Sequence, residues 1–354
     1  MDTLKLGIIG CGTIASLNVP GYLKHDRCDV VALCDVVPER ARKRAAEWGI
    51  EPKIYARYED LLEDDQVDAV ELLTPSHLHA RQVVAALDAG KHVSCQKPVC
   101  NTLAEVSEIA DAVRRAKTIF RVTENFIYYP PIVKAMELFE SGIIGEPSLM
   151  RIRTLWGSFD RSGAIELADG AMEWRGDASL NAGGLLFDDG WHKFATAMWW
   201  LGDAAKVFAT VLRPRGFIQE APSVITWEFK DRDCLGVFEF ASGEGMPIRT
   251  KYYPLDEFFE IQGPAGTIWV TRCSGEMLDM APVILVKGDQ TVEYDVPSDW
   301  SEGFDGAARD FVDSVLDGRQ PKMGLDFSER VLRTVLAAYR SSEIERPVDP
   351  TQVL

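Results

Sequence analysis

A short glycine pattern limits the possible folds of this chain more than any other feature. The apolar segment "LKLGII" (4–9) is followed directly by "GCGTIA" (10–15), which has the form Gly-x-Gly-x-x-Ala. Glycines allow a tight turn and let a pyrophosphate approach the backbone, while the positive end of the next helix favours phosphate charge. The pattern therefore predicts a strand, a turn and a helix that bind a dinucleotide. The expected cofactor contacts in this turn are Gly10, Gly12, Thr13 and Ile14.

The next predicted strand ends in a carboxylate, at the place where such folds bind ribose. "DVVALCD" (29–35) ends at Asp35, twenty residues after Ala15. A carboxylate here hydrogen-bonds the adenosine ribose hydroxyls and repels a 2′-phosphate. The two valines that follow provide no cation, although Arg40 is close in sequence. We therefore expect NAD rather than NADP; the competing interpretation is an ordinary strand–helix turn followed by a surface acid.

The pattern of apolar residues changes about a third of the way along the chain. Residues 4–125 alternate strand-like and helix-like segments, which indicates a parallel, doubly wound sheet. From about residue 145, strand-like segments follow one another, with a helix predicted over 191–201, which indicates a mostly antiparallel sheet. Two predicted helices, 303–317 and 328–340, come last. The sequence therefore predicts an α/β protein with a Rossmann domain over 1–125 and an α+β domain over 126–354, whose final helices can pack back on the first domain.

Composition excludes several classes of partner and site. The chain of 354 residues has a net charge of −17, whereas nucleic acid and anionic membranes attract basic surfaces. No apolar run is long enough to cross a bilayer, and because the first residues lead straight into a predicted strand, we expect no signal peptide. The seven cysteines are scattered and form no CxxC pair, so we expect reduced thiols, no metal site and a cytoplasmic location.

The stretch "NAGGLLFDDGWH" (181–192) carries the main acid–base candidates. Asp188 and His192 are four residues apart, which places them on one face of a helix. Imidazole has a pKa suited to accepting a hydroxyl proton near neutral pH. The competing interpretations are a half-buried structural histidine with a capping aspartate, and a metal pair, for which no third ligand is evident. We expect the preceding glycines to let backbone and substrate come close.

Taken together, these stretches resemble the glucose–fructose oxidoreductase/inositol dehydrogenase (Gfo/Idh/MocA) family. The resemblance covers nearly the whole chain through six segments: "GIIGCGTIA" (7–15), "LLTPSHLHARQVVAALDAGKHVSCQKP" (72–98), "ESGIIGEP" (140–147), "MEWRGD" (172–177), "GGLLFDDGWH" (183–192) and "AYRSS" (338–342). It implies a Rossmann domain followed by a domain with an open, mostly antiparallel sheet, which often forms the contact in homodimers or homotetramers. It also implies NAD(H) or NADP(H) as cofactor and sugars, cyclitols or related polyols as substrates.

The resemblance also assigns roles to individual residues. Lys97, Asp188 and His192 match the family's catalytic set, and Thr74 and Pro75 match the turn along the nicotinamide ribose. Three residues of the matching segments complete the expected cofactor contacts: His79, for which helix packing is the simpler interpretation, Gln96 and Lys97 itself. The sequence departs from the family pattern twice, with Gln96 where glutamate is usual and Ala195 where an acid often follows the histidine.

The resulting hypothesis is an NAD-dependent dehydrogenase of a sugar, glycoside or cyclitol. In it, His192 is the acid/base, Lys97 stabilises the alkoxide and Asp188 orients both. Further substrate contacts are expected from Asn125, Tyr128, Trp174 and Arg175, although core packing also suits Tyr128. The alternatives are an enzyme that retains its NAD and works through a keto-sugar intermediate, a non-catalytic NAD(H)-binding regulator, and an imine or biliverdin-type reductase.

Overall fold

The computed structural model describes residues 2–159, 165 and 167–353 and divides into two compact units. Unit 1 comprises Met1–Asn125, Leu167–Ala182 and Phe304–Glu329. Unit 2 comprises Phe126–Glu166, Gly183–Gly303 and Arg330–Leu354. Each unit therefore contains segments that are far apart in the sequence.

The strands are β1 (Leu4–Ile9), β2 (Cys28–Cys34), β3 (Lys53–Tyr55), β4 (Ala69–Leu72), β5 (His92–Gln96), β6 (Phe120–Thr123), β7 (Leu149–Phe159), β8 (Ala204–Val211), β9 (Ser223–Phe229), β10 (Leu235–Ile248), β11 (Leu255–Gly263), β12 (Gly266–Val270), β13 (Val283–Lys287) and β14 (Gln290–Tyr294). The helices are α1 (Ala15–Leu23), α2 (Pro38–Trp48), α3 (Tyr58–Leu62), α4 (His79–Asp88), α5 (Leu103–Arg115), α6 (Pro130–Glu140), α7 (Glu173–Gly176), α8 (Leu185–Asp188), α9 (Gly190–Leu201), α10 (Ser301–Asp317) and α11 (Leu325–Ile344). Single 3-10 turns lie at Ser76–Leu78, Phe126–Tyr128 and Pro350–Gln352.

Unit 1 is built on a parallel sheet, as predicted. Over the described residues its six strands lie in the order β3-β2-β1-β4-β5-β6, and every adjacent pair is parallel. The order reverses between β1 and β4, and ligands of such sheets bind outside the carboxyl ends of the strands at this point. The carboxyl ends of β1, β4 and β5, which carry the predicted cofactor residues, are therefore neighbours.

Local signals in the sequence fix the helices around this sheet. Thr102 and Glu105 form a capping box at the start of α5. Gly49 ends α2 in the left-handed conformation, with φ of +66°. Ala308 and Phe311 of α10 pack into the same core as Leu6 of β1, so a late segment of the chain completes the core of unit 1.

Unit 2 contains a mostly antiparallel sheet, which confirms the predicted fold class. Its strands lie in the order β14-β13-β12-β11-β7-β10-β9-β8, and the parallel pair is β7 with β10. The side chains of β9 alternate between buried and exposed, so one face of the sheet faces the core of the unit. On the other face, Val224 is 48% exposed, Phe208 43% and Leu235 54%.

Of two helices in unit 2, α9 was predicted from the sequence and α6 was not. The helix predicted over 191–201 is observed as Gly190–Leu201, and it is buried along nearly its whole length. In contrast, α6 was not predicted, although its two prolines occupy the first turn of the helix, where a missing N–H costs nothing. Among the described residues, no helix is both long and apolar enough to cross a membrane.

Candidate functional site

The glycine-rich turn in unit 1 has the geometry that the sequence predicts. Gly10 has a φ of +99°, and a Cβ at this residue would lie 2.7 Å from the carbonyl oxygen of Leu73. Only glycine fits a left-handed backbone at such close range. The Gly10 N–H donates to the carbonyl of Cys34 at 2.8 Å, which joins the turn to the end of β2. Thr13 and Ile14 then lead into α1.

Asp35 holds this turn from the end of β2. Its buried carboxylate accepts hydrogen bonds from the backbone N–H of Cys11 and of Val37, both at 2.9 Å. The guanidinium of Arg40 lies 3.7 Å from Oδ1 of the same carboxylate. Asp35 therefore braces the dinucleotide turn, and this bracing comes in addition to the ribose contact predicted for it.

A second arginine on α2 contacts the turn and was missed by the sequence reasoning. Nε of Arg44 donates to the carbonyl of Cys11 at 3.4 Å, and its terminal nitrogen donates to the carbonyl of Gly12 at 3.3 Å. Because Arg40 and Arg44 are four residues apart on a helix, their spacing indicated a shared face. Two guanidinium groups thus lie beside the predicted dinucleotide site.

The segment 167–182 belongs to unit 1, although its neighbours in sequence belong to unit 2. The N–H of Ala168 donates to Oγ1 of Thr13 at 2.7 Å, and Arg40 donates to the carbonyl of Asp169 at 3.1 Å. At the other end, Nδ2 of Asn101 donates to the carbonyl of Leu180 at 2.8 Å. The segment is therefore fixed to unit 1 at both ends, and one end is fixed at the glycine-rich turn.

Trp174 and Arg175 lie on this segment, in α7. The Arg175 guanidinium is 4.4 Å from the centre of the indole, and the His77 ring is 6.3 Å from it. Arg175 also donates to the carbonyl of Ala171 at 2.7 Å. Both predicted substrate residues thus belong to the same unit as the cofactor turn.

Lys97 is half-buried and follows directly after β5. Its peptide bond to Pro98 is cis. The backbone N–H of Lys97 donates to Oε1 of Gln96 at 2.9 Å, and Nε2 of Gln96 lies 3.5 Å from Oδ1 of Asn18. The amide that replaces the family's usual glutamate therefore binds the backbone of the residue that follows it.

The Thr74–Pro75 turn follows β4, the neighbour of β5. Oγ1 of Thr74 donates to Oε1 of Gln82 at 2.5 Å, which ties the turn to α4. His79, at the start of α4, is buried, and both of its ring nitrogens contact backbone carbonyls. The prediction that His79 contacts the cofactor remains a prediction, and its contacts within unit 1 suit the simpler expectation of helix packing.

Asn125 and Tyr128 have different surroundings. Asn125 is buried, and its Nδ2 finds no hydrogen-bond acceptor among the described residues. A buried donor of this kind usually has a partner, which suits a bound ligand. Tyr128 is half-buried and lines a surface groove of about 680 Å³ in unit 2, together with Lys134 and Tyr294.

His192 lies on α9 of unit 2 and is largely buried. Its imidazole stacks on the ring of Phe126, with the ring centres 4.4 Å apart and the planes 21° from parallel. Asp188 ends the short helix α8, and Asp189 continues the helical backbone into α9 with φ of −77° and ψ of −40°. The predicted four-residue spacing from Asp188 to His192 therefore crosses a junction between two helices.

A buried ionic cluster, formed by Asp189, Lys193 and Glu257, was missed by the sequence reasoning. Nζ of Lys193 donates to Oδ1 of Asp189 at 2.7 Å and also to Oε1 of Glu257. The same ammonium group is 4.9 Å from the centre of the Phe126 ring, the ring on which His192 stacks. The cluster is thus connected to His192 through one aromatic side chain.

The charges of the ionic cluster do not cancel. Burial lowers the pKa of Lys193, but the carboxylates of Asp189 and Glu257 outweigh it and raise that pKa overall. Burial raises the pKa of Asp189, and the Glu257 carboxylate adds to this rise, whereas Lys193 opposes it. Oδ2 of Asp189 is buried and has no hydrogen-bond partner among the described residues. The cluster therefore leaves one carboxylate oxygen without a hydrogen bond.

The glycines before α8 are required by packing within unit 2. A Cβ on Gly183 would lie 2.1 Å from the hydroxyl of Tyr339, and one on Gly184 would lie 2.5 Å from the carbonyl of Phe217. The Tyr339 hydroxyl donates to the buried carboxylate of Glu220 at 2.8 Å, and the N–H of Leu186 donates to the same carboxylate at 2.9 Å. These contacts fix the start of α8. The close approach at these glycines is to Tyr339 and to backbone carbonyls, and the expected approach of the substrate remains a prediction.

Comparison with protein-family models identifies both parts of the chain. The model described as "Oxidoreductase family, NAD-binding Rossmann fold" matches residues 4–124. The model described as "GFO/IDH/MocA C-terminal domain" matches residues 132–269. The two matches follow each other in the order that the sequence resemblance implies.

Similar proteins cover the whole length of the chain. The D-xylose 1-dehydrogenase (NADP+) 2 of Haloferax volcanii is 26% identical over 98% of this chain and 99% of its own. The myo-inositol 2-dehydrogenase of Thermotoga maritima is 25% identical over 99% of this chain and 100% of its own. The crystal structure of an oxidoreductase from Agrobacterium radiobacter in complex with NAD+, L-tartaric acid and magnesium superposes with a TM-score of 0.83, at 21% identity and 99% coverage of both chains.

Proposed function

The chain belongs to the Gfo/Idh/MocA oxidoreductase family, and we propose that it is an NAD-dependent dehydrogenase of a sugar, glycoside or cyclitol. The observation that carries the proposal lies in unit 1. The glycine-rich turn, the Thr74–Pro75 turn and Lys97 follow the three adjacent strands β1, β4 and β5. A nicotinamide bound along this edge would have Lys97 beside its reacting end.

The proposed reaction moves a hydride and a proton separately. The carbinol C–H gives its hydride to C4 of the nicotinamide, while the hydroxyl gives its proton to the imidazole of His192. The Lys97 ammonium group stabilises the alkoxide that develops between these events. Asp188 orients the imidazole and the substrate. In the reverse direction, His192 returns the proton as NADH reduces the ketone.

Four further residues are proposed to hold the substrate. Asn125 offers a buried amide N–H with no acceptor among the described residues, which suits a substrate hydroxyl. Trp174 offers an indole ring for stacking against a sugar, and the Arg175 guanidinium lies over one face of that indole. Tyr128 keeps its predicted role, although it lines a separate groove of unit 2.

The preference for NAD is part of the proposal, since both dinucleotides occur among the similar proteins. Asp35 presents a buried carboxylate at the end of β2, where it disfavours a 2′-phosphate. The positive charges of Arg40 and Arg44 would instead favour a 2′-phosphate. However, Arg40 lies near Asp35, and Arg44 binds the carbonyls of the turn. Both guanidinium groups therefore already have partners within the protein before a cofactor binds.

The proposal includes a homodimer or homotetramer in the cytoplasm. Exposed apolar side chains of Phe208, Val224 and Leu235 on the sheet of unit 2 suit an interface between subunits. All seven cysteines are buried thiols, which suits a reducing compartment. We propose no nucleic acid or membrane as a partner, because the net charge is −17.

One observation favours a second candidate, in which NAD stays bound and a keto-sugar intermediate is reduced again. The segment 167–182 is hydrogen-bonded to Thr13 and Arg40, beside the dinucleotide turn. Such contacts suit slow release of the cofactor. The measurement that separates the candidates is whether NAD purified with the protein exchanges with free NAD during turnover.

The first experiment is a spectrophotometric assay of NADH formation with a panel of inositols, aldoses and glycosides, using NAD and NADP in parallel. We expect turnover of a polyol with NAD, and a loss of at least ~100-fold in Lys97→Ala and His192→Ala. Turnover that survives both substitutions would overturn the proposed residue roles. If no polyol reacts although NAD binds, the retained-cofactor candidate takes precedence.

A further inference from the structure

The two ring nitrogens of His79 contact backbone carbonyls of two different segments of unit 1. Its side chain is buried, with 1% of the residue surface exposed, at the first residue of α4. Nε2 lies 2.8 Å from the carbonyl oxygen of Thr74, and Nδ1 lies 2.8 Å from the carbonyl oxygen of Pro98. One ring therefore bridges two backbone segments that are 24 residues apart in sequence.

The two segments are those that present the proposed reacting groups of unit 1. Thr74 begins the turn expected along the nicotinamide ribose, and Pro98 directly follows Lys97. Both segments lie just beyond the carboxyl ends of neighbouring parallel strands, β4 and β5. The imidazole thus fixes one turn relative to the other at the edge of the sheet.

The chemistry of the ring suits this connection. A ring nitrogen donates when it carries hydrogen: the neutral ring has one such nitrogen and the imidazolium has two. Burial lowers the pKa of His79 overall, and the carbonyls of Pro98 and Thr74 oppose that shift only in part. A phenyl ring of similar size would leave both carbonyls without this partner, and buried carbonyls are costly to leave unpaired.

We propose that His79 is a positioning residue, which sets the distance between the nicotinamide ribose turn and Lys97 through its two ring nitrogens. This role acts through the protein backbone and is separate from the cofactor contact predicted for the same residue. The inference rests on the proposed function, which places the Thr74 turn along the nicotinamide ribose and Lys97 at the reacting oxygen. It deepens that function, because it explains how two loops of one sheet edge keep a fixed spacing.

Two substitutions separate the two contacts. The amide nitrogen of asparagine occupies nearly the place of Nδ1, so His79→Asn keeps the Pro98 contact and loses the Thr74 contact. The amide nitrogen of glutamine occupies nearly the place of Nε2, so His79→Gln does the reverse. A matched pair of controls is His92→Asn and His92→Gln, at the opposite end of β5, where the ring accepts a hydrogen bond from the N–H of Ile119 at 3.0 Å.

The test measures the Kd for NADH by fluorescence, together with kcat and KM on the best polyol, in the full-length chain. We expect His79→Asn to raise the Kd for NADH about fivefold with a smaller change in kcat, which is the size of one lost hydrogen bond. We expect His79→Gln to lower kcat about fivefold and to leave the Kd near that of the wild type. The His92 controls should change neither quantity by more than about twofold.

If His79 were purely structural, the Kd for NADH and kcat would change equally in His79→Asn and His79→Gln, in proportion to the loss of Tm. That result would overturn the proposal. Unchanged Kd and kcat in both variants would overturn it as well. If the wild type turns over no polyol, the proposed function fails, but the NADH measurement still decides this inference. The positioning role is supported if the Kd for NADH rises in His79→Asn but not in His79→Gln. It is refuted if the two variants have equal Kd values.

Discussion

Each unit of the molecule buries charged side chains, but the two units do so differently. In unit 1, Glu71 accepts hydrogen bonds from Tyr22 at 2.5 Å and from Thr123 at 2.9 Å, while Arg121 lies 3.9 Å away and donates to Ser94 at 2.9 Å. Both oxygens of the Glu71 carboxylate therefore have donors, and one cation faces one anion. This buried network is satisfied.

The ionic cluster of unit 2 is not satisfied in the same way. Lys193 is shared by Asp189 and Glu257, and Oδ2 of Asp189 has no hydrogen-bond partner among the described residues. Incomplete pairing of buried charge is costly, and it is common where a protein carries out chemistry. The unsatisfied cluster is also the one that reaches the proposed acid/base, His192, through Phe126. The hypothesis from this comparison is that the network of unit 1 serves folding and the cluster of unit 2 serves the proposed site.

The largest expected effect is on the satisfied network. Arg121→Met leaves Glu71 as a buried carboxylate without its cation, and we expect the free energy of unfolding to fall by about 4–5 kcal/mol. Urea denaturation measures this loss. The matched control is Arg114→Met, which removes an exposed arginine paired with Asp111 and should cost less than about 1 kcal/mol. Similar losses of unfolding free energy in Arg121→Met and Arg114→Met would show that Glu71 does not depend on Arg121 as its cation.

A smaller loss is expected from the unsatisfied cluster. Lys193→Met removes the cation between Asp189 and Glu257, but burial already raises the pKa of Asp189, so that residue takes up a proton readily. We expect the free energy of unfolding to fall by about 3 kcal/mol, less than for Arg121→Met. The control is Lys206→Met, at an exposed pair with Glu228. A greater loss than in Arg121→Met would remove the distinction between the two networks.

The sequence predicted the parts of the site that depend on neighbouring residues. The glycine-rich turn, Asp35 and α9 follow from short patterns, since turn geometry, strand ends and apolar periodicity are local properties. The ionic cluster could not be found in this way, because Glu257 is 64 residues from Lys193. A lysine beside His192 looks like an ordinary surface residue until the fold buries it.

Longer-range features of the fold were missed for the same reason. The sequence does not show that residues 167–182 belong to unit 1, because the hydrogen bonds that fix them there lead to Thr13, Arg40 and Asn101. The close packing at Gly183 likewise depends on Tyr339, more than 150 residues away. Local patterns identify the elements of a site, whereas contacts between distant segments decide how those elements are held.

Phe126 connects the unsatisfied cluster with the proposed chemistry, and a prediction for it sharpens the comparison. Phe126→Leu removes the ring between His192 and Lys193, and an aromatic stack of this kind contributes about 1 kcal/mol. We expect kcat to fall about tenfold, with a smaller change in KM. Phe194→Leu, a buried phenylalanine on the same helix as His192, is the control: it should lower the Tm by a similar amount and leave kcat near wild type. Equal kcat in both variants would argue against a role for the stack.

The smallest expected effect concerns Asp189 and depends on pH. Burial raises its pKa above the ordinary value of 3.8 in the folded chain, so the charged carboxylate opposes folding. Its contribution to stability is present below pH 3.8 and is lost as the pH rises through the raised folded-state pKa. In Asp189→Asn this loss of stability cannot occur, because the amide does not ionise. The variant should therefore gain stability relative to the wild type as the pH rises above about 4.

Urea denaturation of Asp189→Asn and the wild type at a series of pH values measures this difference. The parallel variant Glu71→Gln serves as the contrast, because Tyr22 and Thr123 donate to a carboxylate that Arg121 already balances. Replacing that carboxylate removes a favourable charge, so Glu71→Gln should be less stable than the wild type at neutral pH. If Asp189→Asn were also destabilised there, the cluster of unit 2 would be as fully compensated as the network of unit 1. The Asp189 oxygen without a hydrogen bond would then no longer distinguish a functional cluster from a structural one.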